Sequence, residues 1–258
     1  MQVFVHAGFH KTGTTSFQNL IRANRSLAPT DVGFLLAHDP LADNLRSALR
    51  DFHRNQGPDE VSELRARLSA ILANFKQTGV SKLVISLEVI SGLMPDAGPG
   101  KLYPNGRLAL AEICRVFAGQ EITLLFSVRG GAAWIRSLHA HQSSKPGFTV
   151  PVEEFASAEK FRLLDWSKVI AALTDNLPVA TNVSHLEATT NSRLGPASDF
   201  LPLFLPPEAI ALWQPVARAN TGLTPAAVGL SHTRLISKLP DSLRRFLIRQ
   251  FNSITARI

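Results

Sequence analysis

The sequence predicts an α/β fold in which a central parallel sheet lies between two layers of helices, followed by a helical C-terminal segment. Three observations favour this fold. Short apolar runs alternate with longer stretches of helical periodicity along most of the 258 residues. The strongest runs, at residues 82–87 (KLVISL) and 121–128 (EITLLFSV), resemble strands that are buried on both faces. Hydrophobic residues make up 45% of the chain, which is enough for one large core.

The predicted elements follow one another in chain order. Short runs rich in β-branched and aromatic side chains predict strands at residues 2–7, 32–37, 82–87, 121–128 and 179–183. Apolar side chains at helical spacing predict helices at residues 14–24, 59–78, 108–117, 132–142, 165–174 and from about Pro225 onward. Residues 91–105 and 143–150 are predicted to be mobile loops. Because ligands of parallel sheets bind beyond the carboxyl ends of the strands, we expect the chemistry just after Ala7, Leu87 and Val128.

The basic charge is concentrated at the end of the chain. The net charge is +7, and residues 218–258 hold seven basic residues against one acid, which leaves the preceding part nearly neutral. A nucleic-acid partner is therefore not expected. This extension carries an apolar stripe at helical spacing, made of Leu239, Leu243, Phe246, Leu247, Phe251 and Ile254. The stripe predicts a closing helix with a solvated basic edge, and contact with an anionic membrane surface or an acidic glycan is the alternative.

The remaining composition bounds the class of protein. A single cysteine, Cys114, excludes a disulfide framework and a thiolate metal cluster. No apolar run approaches the roughly 20 residues of a membrane-spanning helix, and no signal-peptide pattern follows Met1. No group of Cys, His and Asp has metal-ligand spacing. We therefore expect a cytoplasmic protein without a metal site, forming one domain over residues 1–258 with residues 218–258 as a basic helical extension.

A glycine loop follows the first predicted strand. Gly8 and Gly13 keep the G-x-x-x-x-G spacing of a Walker A loop, but Thr14 stands where the lysine belongs and the lysine comes earlier, at Lys11. Backbone N–H groups in such a loop and at a helix N-terminus can surround an anion. The early lysine predicts a cation beside a phosphate held in the loop itself. The candidate phosphate ligands are His10, Lys11, Thr12, Gly13, Thr14, Thr15 and Ser16.

The loop sequence HKTGTTS resembles the 5′-phosphosulfate-binding loop of the sulfotransferases. Three further segments are similar to bacterial and carbohydrate members of that family: LVISLEVIS (83–91), SVRGGAAWIRSLHAHQ (127–142) and RANTGLT (218–224). The resemblance implies a P-loop-NTPase-like three-layer sandwich. It also implies 3′-phosphoadenosine 5′-phosphosulfate (PAPS) as co-substrate and no metal. The family usually has Asp-Pro after the strand-ending arginine, where this chain has Gly130 and Gly131, and this difference leaves the shape of that loop open.

Under this resemblance, Arg129 and Ser137 are the candidate ligands of the PAPS 3′-phosphate. Arg129 follows a strand and Ser137 lies about two turns up the next helix, and a guanidinium with a hydroxyl suits a monoester phosphate. Trp134, on the same helix, either belongs to the core or stacks on adenine, and the core is favoured. His6, within the first strand, is expected to be a hydrogen-bonded core histidine.

Two residues compete for the role of general base. Glu88 ends a strand and could accept the proton of an acceptor hydroxyl, although a capping or supporting role is equally compatible with its position. His10, beside Lys11, is the rival, because imidazole is the commonest general base. Lys11 itself would stabilise charge on the leaving oxygen.

The expected function is transfer of the sulfuryl group of PAPS to a hydroxyl, or to an amine, of a carbohydrate, lipid or small-molecule acceptor. Acceptor contacts are expected from residues 91–105 and 141–150. Two alternatives stay open. A P-loop kinase that uses ATP and Mg²⁺ is disfavoured because the lysine is out of its Walker position and Arg129 stands where a metal-binding acid would follow the strand. A non-catalytic nucleotide- or glycan-binding module on the same fold is the other alternative.

Overall fold

The computed structural model describes residues 1–145 and 147–217, together with Leu243, Phe246, Leu247, Ile248 and Gln250, which are helical. The described residues group into two compact units. Unit 1 comprises Met1–Met94, Lys101–Gly130 and residues 165–217, and unit 2 comprises Pro95–Gly100, Gly131–Leu164 and the five later residues. The RANTGLT segment and most of the predicted basic extension lie outside the described residues. The single domain therefore stays a prediction.

Five parallel strands form the central sheet of the described chain, in the order β2-β3-β1-β4-β5. They are β1 (Gln2–His6), β2 (Val32–Leu36), β3 (Lys82–Ser86), β4 (Glu121–Val128) and β5 (Ala180–His185). The three strands β1, β2 and β3 are buried almost throughout, which explains why their sequences are apolar runs and not alternating patterns.

Helices cover both faces of this sheet in unit 1. In chain order, the helices of the described residues are α1 (Thr14–Asn24), α2 (Pro40–Arg54), α3 (Pro58–Gln77), α4 (Gly106–Val116), α5 (Gly131–Gln142), α6 (Val152–Ser157), α7 (Glu159–Arg162), α8 (Trp166–Thr174), α9 (Leu186–Thr189), α10 (Leu201–Phe204) and α11 (Pro207–Leu212), of which α5, α6 and α7 belong to unit 2. Side chains of α2, α3, α4 and α8 pack on one face of the sheet, while α1, α10 and Trp213 pack on the other. The predicted α/β architecture with a parallel sheet between helical layers is confirmed.

Each predicted strand and helix up to residue 174 occurs within two residues of its predicted bounds, and so does the last strand. The long helix α2 was not predicted. Its buried face includes Ala42, Leu45, Ala48 and Leu49. These residues recur at helical spacing opposite a strongly polar face, so the periodicity of this helix is present in the sequence. The short helices α6, α7, α9, α10 and α11 were not predicted either, because each spans too few turns to establish a period.

Unit 2 has an aromatic core of its own. Trp134 is fully buried and meets Phe161 edge to face, with ring centroids 5.8 Å apart. Phe161 in turn stacks on Phe155 at 4.9 Å. Trp134 therefore belongs to the core, as favoured. In the part of the chain that the structure describes, no helix is both long enough and apolar enough to cross a membrane.

Candidate functional site

The candidate site lies where the strand order reverses. Strands β2 and β3 lie on one side of β1 in the sheet, and β4 and β5 lie on the other. The chain therefore changes direction across the sheet when it passes from β3 to β4. Parallel strands bring their carboxyl ends to one edge, and a crevice opens beyond that edge where neighbouring connections diverge. The three charged residues that follow β1, β3 and β4 at this edge are Lys11, Glu88 and Arg129.

The loop between β1 and α1 has an unusual backbone. Lys11 has a φ of 66° and Gly13 a φ of 95°, both in the left-handed region. For a residue with a side chain, this conformation costs about 1–2 kcal/mol, and it persists only where the surroundings enforce it. At Gly13 a side chain is also excluded by packing, since a Cβ would lie 2.9 Å from the Cβ of Pro196 and 3.0 Å from Leu186 Cδ1. The loop is therefore held in one shape.

This shape leaves a row of donors at the start of α1. Gly13 is the N-cap residue of α1 and has no side chain that could cap the helix. The N–H of Phe17 donates to Gly13 O at 3.1 Å. Among the described residues, no acceptor lies at hydrogen-bonding geometry to the backbone N–H groups from Thr12 to Ser16. Successive N–H groups of this kind form a concave site for an anion.

The hydroxyls of the loop divide into two pairs. Thr12 and Thr14 are buried, and both donate to the carbonyl oxygen of Phe9, at 2.5 and 3.4 Å. These two threonines therefore brace the loop from inside. Thr15 is exposed and Ser16 is half-buried, so their hydroxyls remain available to a ligand together with the backbone donors.

Lys11 is electrostatically coupled to both of the other charged residues. Burial lowers the pKa of the Lys11 ammonium below its usual value, the nearby Arg129 guanidinium lowers it further, and the Glu88 carboxylate acts in the opposite direction. Two cations and one carboxylate thus share one small, partly desolvated region. Two cations held close together form a site with a strong preference for an anion.

Glu88 is the first residue of a short 3₁₀ turn, Glu88–Ile90, which begins two residues after β3 ends. This turn is held from α2, where Nε2 of the buried His53 lies 2.8 Å from the carbonyl oxygen of Val89. Burial lowers the pKa of His53, so the ring is neutral near pH 7 and can donate to that carbonyl. From α1, Gln18 Nε2 donates to Ser86 O at 2.8 Å and reaches Glu88 Oε2 at 3.5 Å.

Arg129 is half-buried, and its backbone is fixed from two sides. Trp166 Nε1 donates to the Arg129 carbonyl oxygen at 2.7 Å, and the N–H of Gly130 donates to Glu187 Oε1 at 2.9 Å. Gly130, the first of the two glycines after Arg129, is thus fixed by a hydrogen bond to Glu187. Ser137 is half-buried on α5, which belongs to unit 2, so its convergence with Arg129 stays a prediction.

Aromatic rings support the loop that carries Lys11. Phe9 is fully buried and stacks on Trp166 at 4.5 Å and on Tyr103 at 5.0 Å. The ring of His10 is parallel to that of Tyr103, at 6.2 Å. Burial strongly raises the pKa of Tyr103, so its hydroxyl stays protonated. His10 thus lies within an aromatic stack, and its role as a base stays open.

A pocket of about 280 Å³ adjoins the loop. It is lined by Ser16, by residues 190–196 and by residues 215–217, all of them in unit 1. Because Pro196 also contacts Gly13, the pocket and the row of donors share one wall. Its volume is near the lower end of the range for small-molecule sites, about 300 Å³ and upward.

The residues of this site that were not predicted include Gln18 and Tyr103. Gln18 is an uncharged polar residue within the otherwise apolar buried face of α1, and such a residue needs a partner inside the fold. Tyr103 is the one tyrosine of the chain and lies in a loop expected to be mobile, yet it is buried. The sequence pattern of a polar residue on an apolar helix face could have identified Gln18, whereas no local pattern identifies Tyr103.

The described residues contain no cluster of three or more His, Cys, Asp or Glu side chains that could hold a metal ion. Cys114 is partly buried, and burial raises the pKa of its thiol, which does not favour a nucleophilic thiolate. His6 is fully buried between two serine hydroxyls, as predicted for a core histidine. No protein-family model matches the chain, and no curated protein matches it.

Proposed function

We propose that the protein is a PAPS-dependent sulfotransferase on a P-loop-like fold. One observation carries the proposal: Lys11, Arg129 and Glu88 follow three adjacent strands at the switch edge, and Lys11 interacts electrostatically with both of the others. Two cations beside a row of N–H groups that have no acceptor among the described residues suit the doubly anionic phosphosulfate of PAPS. A carboxylate beside them provides a base for the incoming acceptor.

The 5′-phosphosulfate would bind at the start of α1. The N–H groups from Thr12 to Ser16, aligned with the positive end of the helix, would donate to the phosphate oxygens. The exposed hydroxyl of Thr15 and the half-buried one of Ser16 would add side-chain donors. The adjoining pocket beside Ser16 offers a place for the nucleoside, and Arg129 would bind the 3′-phosphate.

In the proposed reaction, an acceptor hydroxyl attacks the sulfur of PAPS. The new O–S bond forms as the S–O bond to the 5′-phosphate breaks, and the electron pair of that bond stays on the phosphate oxygen. Lys11 neutralises this oxygen, where negative charge develops in the transition state. Glu88 takes the proton of the acceptor hydroxyl. The products are a sulfate ester and 3′,5′-bisphosphoadenosine, and the acceptor is a carbohydrate, lipid or small molecule.

Partial desolvation of Lys11 supports this role. An ammonium in a water-poor site stabilises a developing charge more strongly than one in bulk water. The left-handed backbone at Lys11 supports it as well, because strained conformations concentrate where function requires a fixed geometry. A surface lysine with only a solubilising role would need neither burial nor strain.

The test is a transfer assay with PAPS carrying labelled sulfur and a panel of sugar, lipid and phenol acceptors, in the presence of EDTA. The wild type should label at least one acceptor class. Glu88→Gln should slow transfer about 10²- to 10⁴-fold, and Lys11→Ala should abolish it while the protein stays folded. A parallel reaction with γ-labelled ATP and Mg²⁺ tests the kinase alternative. Near-normal sulfuryl transfer by Lys11→Ala, or phosphoryl transfer from ATP by the wild type, would sink the proposal.

A further inference from the structure

A buried polar network lies directly beneath the candidate site, on the face of the sheet that α1 covers. At its centre the fully buried His6 of β1 bridges two neighbouring strands. His6 Nδ1 lies 2.8 Å from Ser86 Oγ of β3, and His6 Nε2 lies 2.9 Å from Ser127 Oγ of β4. Ser86 and Ser127 are also buried. The imidazole therefore ties together the ends of the three strands that lead to Lys11, Glu88 and Arg129.

Gln18 connects this network to the edge of the site. Its side chain is 4% exposed, and its Nε2 has three acceptors: Ser86 O at 2.8 Å, Ser86 Oγ at 3.3 Å and Glu88 Oε2 at 3.5 Å. An amide NH₂ carries two protons, so it can donate to Ser86 and to Glu88 at the same time. Among the described residues of α1, Gln18 is the one whose side chain bonds to Glu88. It lies four positions after Thr14, the first residue of that helix.

The groups around the Glu88 carboxylate indicate what its contact with Gln18 does. Two charged groups and one neutral hydroxyl interact electrostatically with Glu88 or with one another here: Lys11 from the loop after β1, Arg129 after β4, and the Tyr103 hydroxyl before α4. Without a fixed donor, the Glu88 carboxylate is free to rotate toward the Lys11 ammonium that attracts it. Gln18 supplies a neutral donor from α1, which holds the carboxylate without removing its capacity to accept a proton.

We propose that Gln18, which the buried His6–Ser86–Ser127 network holds through Ser86, is a positioning residue that orients the Glu88 carboxylate toward the acceptor. The catalytic consequence rests on the proposed function. The contact itself does not, because a hydrogen bond between Gln18 and Glu88 contributes to folding whatever the enzyme does. The two can therefore be measured separately.

The first arm is a double-mutant cycle on stability, which requires no substrate. The proteins are the wild type, Gln18→Met, Glu88→Gln and the double variant, each unfolded in urea. Methionine keeps the shape of Gln18 and removes its donors. Part of the effect of Gln18→Met comes from Ser86 and persists in both backgrounds. The part that comes from Glu88 should make the shift in urea midpoint measurably larger in the wild type than in the Glu88→Gln background.

The second arm is sulfuryl transfer from PAPS as a function of pH. Losing a donor to a carboxylate favours its protonated form, so the acid limb of the rate profile should move to higher pH in Gln18→Met. Misorientation of the base should lower kcat about 10- to 100-fold and leave the KM for PAPS almost unchanged. Gln18→Asn, which keeps a buried amide but is one methylene too short to reach Glu88, is the second variant if Gln18→Met does not fold.

Asn24→Leu is the matched control, because Asn24 is a buried amide at the other end of α1 that donates to Leu20 O and Gln214 O. This variant should lose stability but keep the pH profile. Additive effects in the stability cycle, or an unchanged pH profile in Gln18→Met, would overturn the positioning role. If the stability cycle is non-additive but the wild type transfers no sulfuryl group, the contact is supported and only the proposed function is rejected.

Discussion

At the scale of single residues, Lys11 combines features that a structural lysine does not need. It is partly buried, has a left-handed backbone, and lies close to another cation. Burial and the second cation disfavour the charged form of the side chain in the folded state, and the left-handed backbone disfavours any residue other than glycine. A residue that is retained against stability is expected to act in binding or catalysis.

The first prediction concerns the stability of Lys11→Met. Because the pKa of Lys11 is lowered on folding, the unfolded chain binds its proton more tightly, so stability rises as the pH increases toward 10.5, the unfolded value. Removing the charge should therefore stabilise the fold near pH 7, and the gain should shrink as the pH approaches 10.5. Urea unfolding at pH 7 and pH 9.5 measures both.

Lys76→Met is the control for that experiment, since Lys76 is exposed in the last turn of α3. Losing a cation from a helix C-terminus should cost at most about 1 kcal/mol at either pH. A Lys11→Met protein that is less stable than the wild type at pH 7 would contradict the account of Lys11 as a desolvated cation.

The second prediction concerns His6 and acid. Burial lowers the pKa of His6 to about 3, so its neutral form stabilises the fold fully above the unfolded value of 6.5. That contribution is lost as the pH falls from 6.5 toward 3. Since each pKa unit corresponds to about 1.4 kcal/mol, the loss of stability amounts to at most about 5 kcal/mol. His6→Gln should therefore lose less stability than the wild type between pH 7 and pH 4, measured by urea unfolding.

His38→Gln is the matched control for His6, because His38 is exposed. Its loss of stability on acidification should follow that of the wild type. An acid sensitivity that is identical in His6→Gln and in the wild type would mean that His6 is not the buried neutral group that the fold requires.

At the scale of elements, the loop between β1 and α1 depends on a glycine that fits against a neighbouring segment. The third prediction compares Gly13→Ala with Gly119→Ala. Both glycines have a positive φ, 95° and 79°, but only at Gly13 would a Cβ meet other atoms within 3 Å. Gly119→Ala should cost about 1–2 kcal/mol of stability from the backbone alone, and Gly13→Ala a further 1 to about 3 kcal/mol from packing.

Unfolding midpoints of the two alanine variants measure this difference directly. Anion binding supplies a second readout, because a displaced loop can no longer align its N–H groups. Equal losses in the two variants would show that the contact of Gly13 with Pro196 and Leu186 does not constrain the loop.

Sequence patterns predict the sheet of this protein well and its supporting contacts poorly. Strands β1, β3 and β4 are recognisable because burial on both faces requires unbroken apolar runs. The loop with Lys11 is recognisable because glycine spacing reflects local backbone geometry. The contacts of Gln18 with Ser86 and Glu88 join residues about 70 positions apart, and no local pattern encodes such a pairing.

At the scale of the whole molecule, strand order turns three distant residues into one site. Lys11, Glu88 and Arg129 each follow a different strand, and the order β3-β1-β4 makes those strands neighbours. Each residue could be found from its place after an apolar run. Their electrostatic coupling follows only from the topology, which periodicity does not determine. The net charge of +7 says little about this site, because most of the excess lies in residues 218–258.

The fourth prediction concerns ligand-dependent stability of the whole chain. A ligand that binds only the folded state raises its melting temperature. With EDTA present, 3′,5′-bisphosphoadenosine should stabilise the wild type, and Lys11→Met should respond much less. Stabilisation by ATP and Mg²⁺ alone would favour the kinase alternative.

Titration calorimetry of the wild type tests the central claim most directly, with 3′,5′-bisphosphoadenosine compared against adenosine 5′-monophosphate in the presence of EDTA. A second phosphate that meets Arg129 contributes charged hydrogen bonds worth about 1.5–3 kcal/mol each. The account therefore predicts at least about tenfold tighter binding of the bisphosphate. Equal affinities, or no binding of either nucleotide, would contradict it.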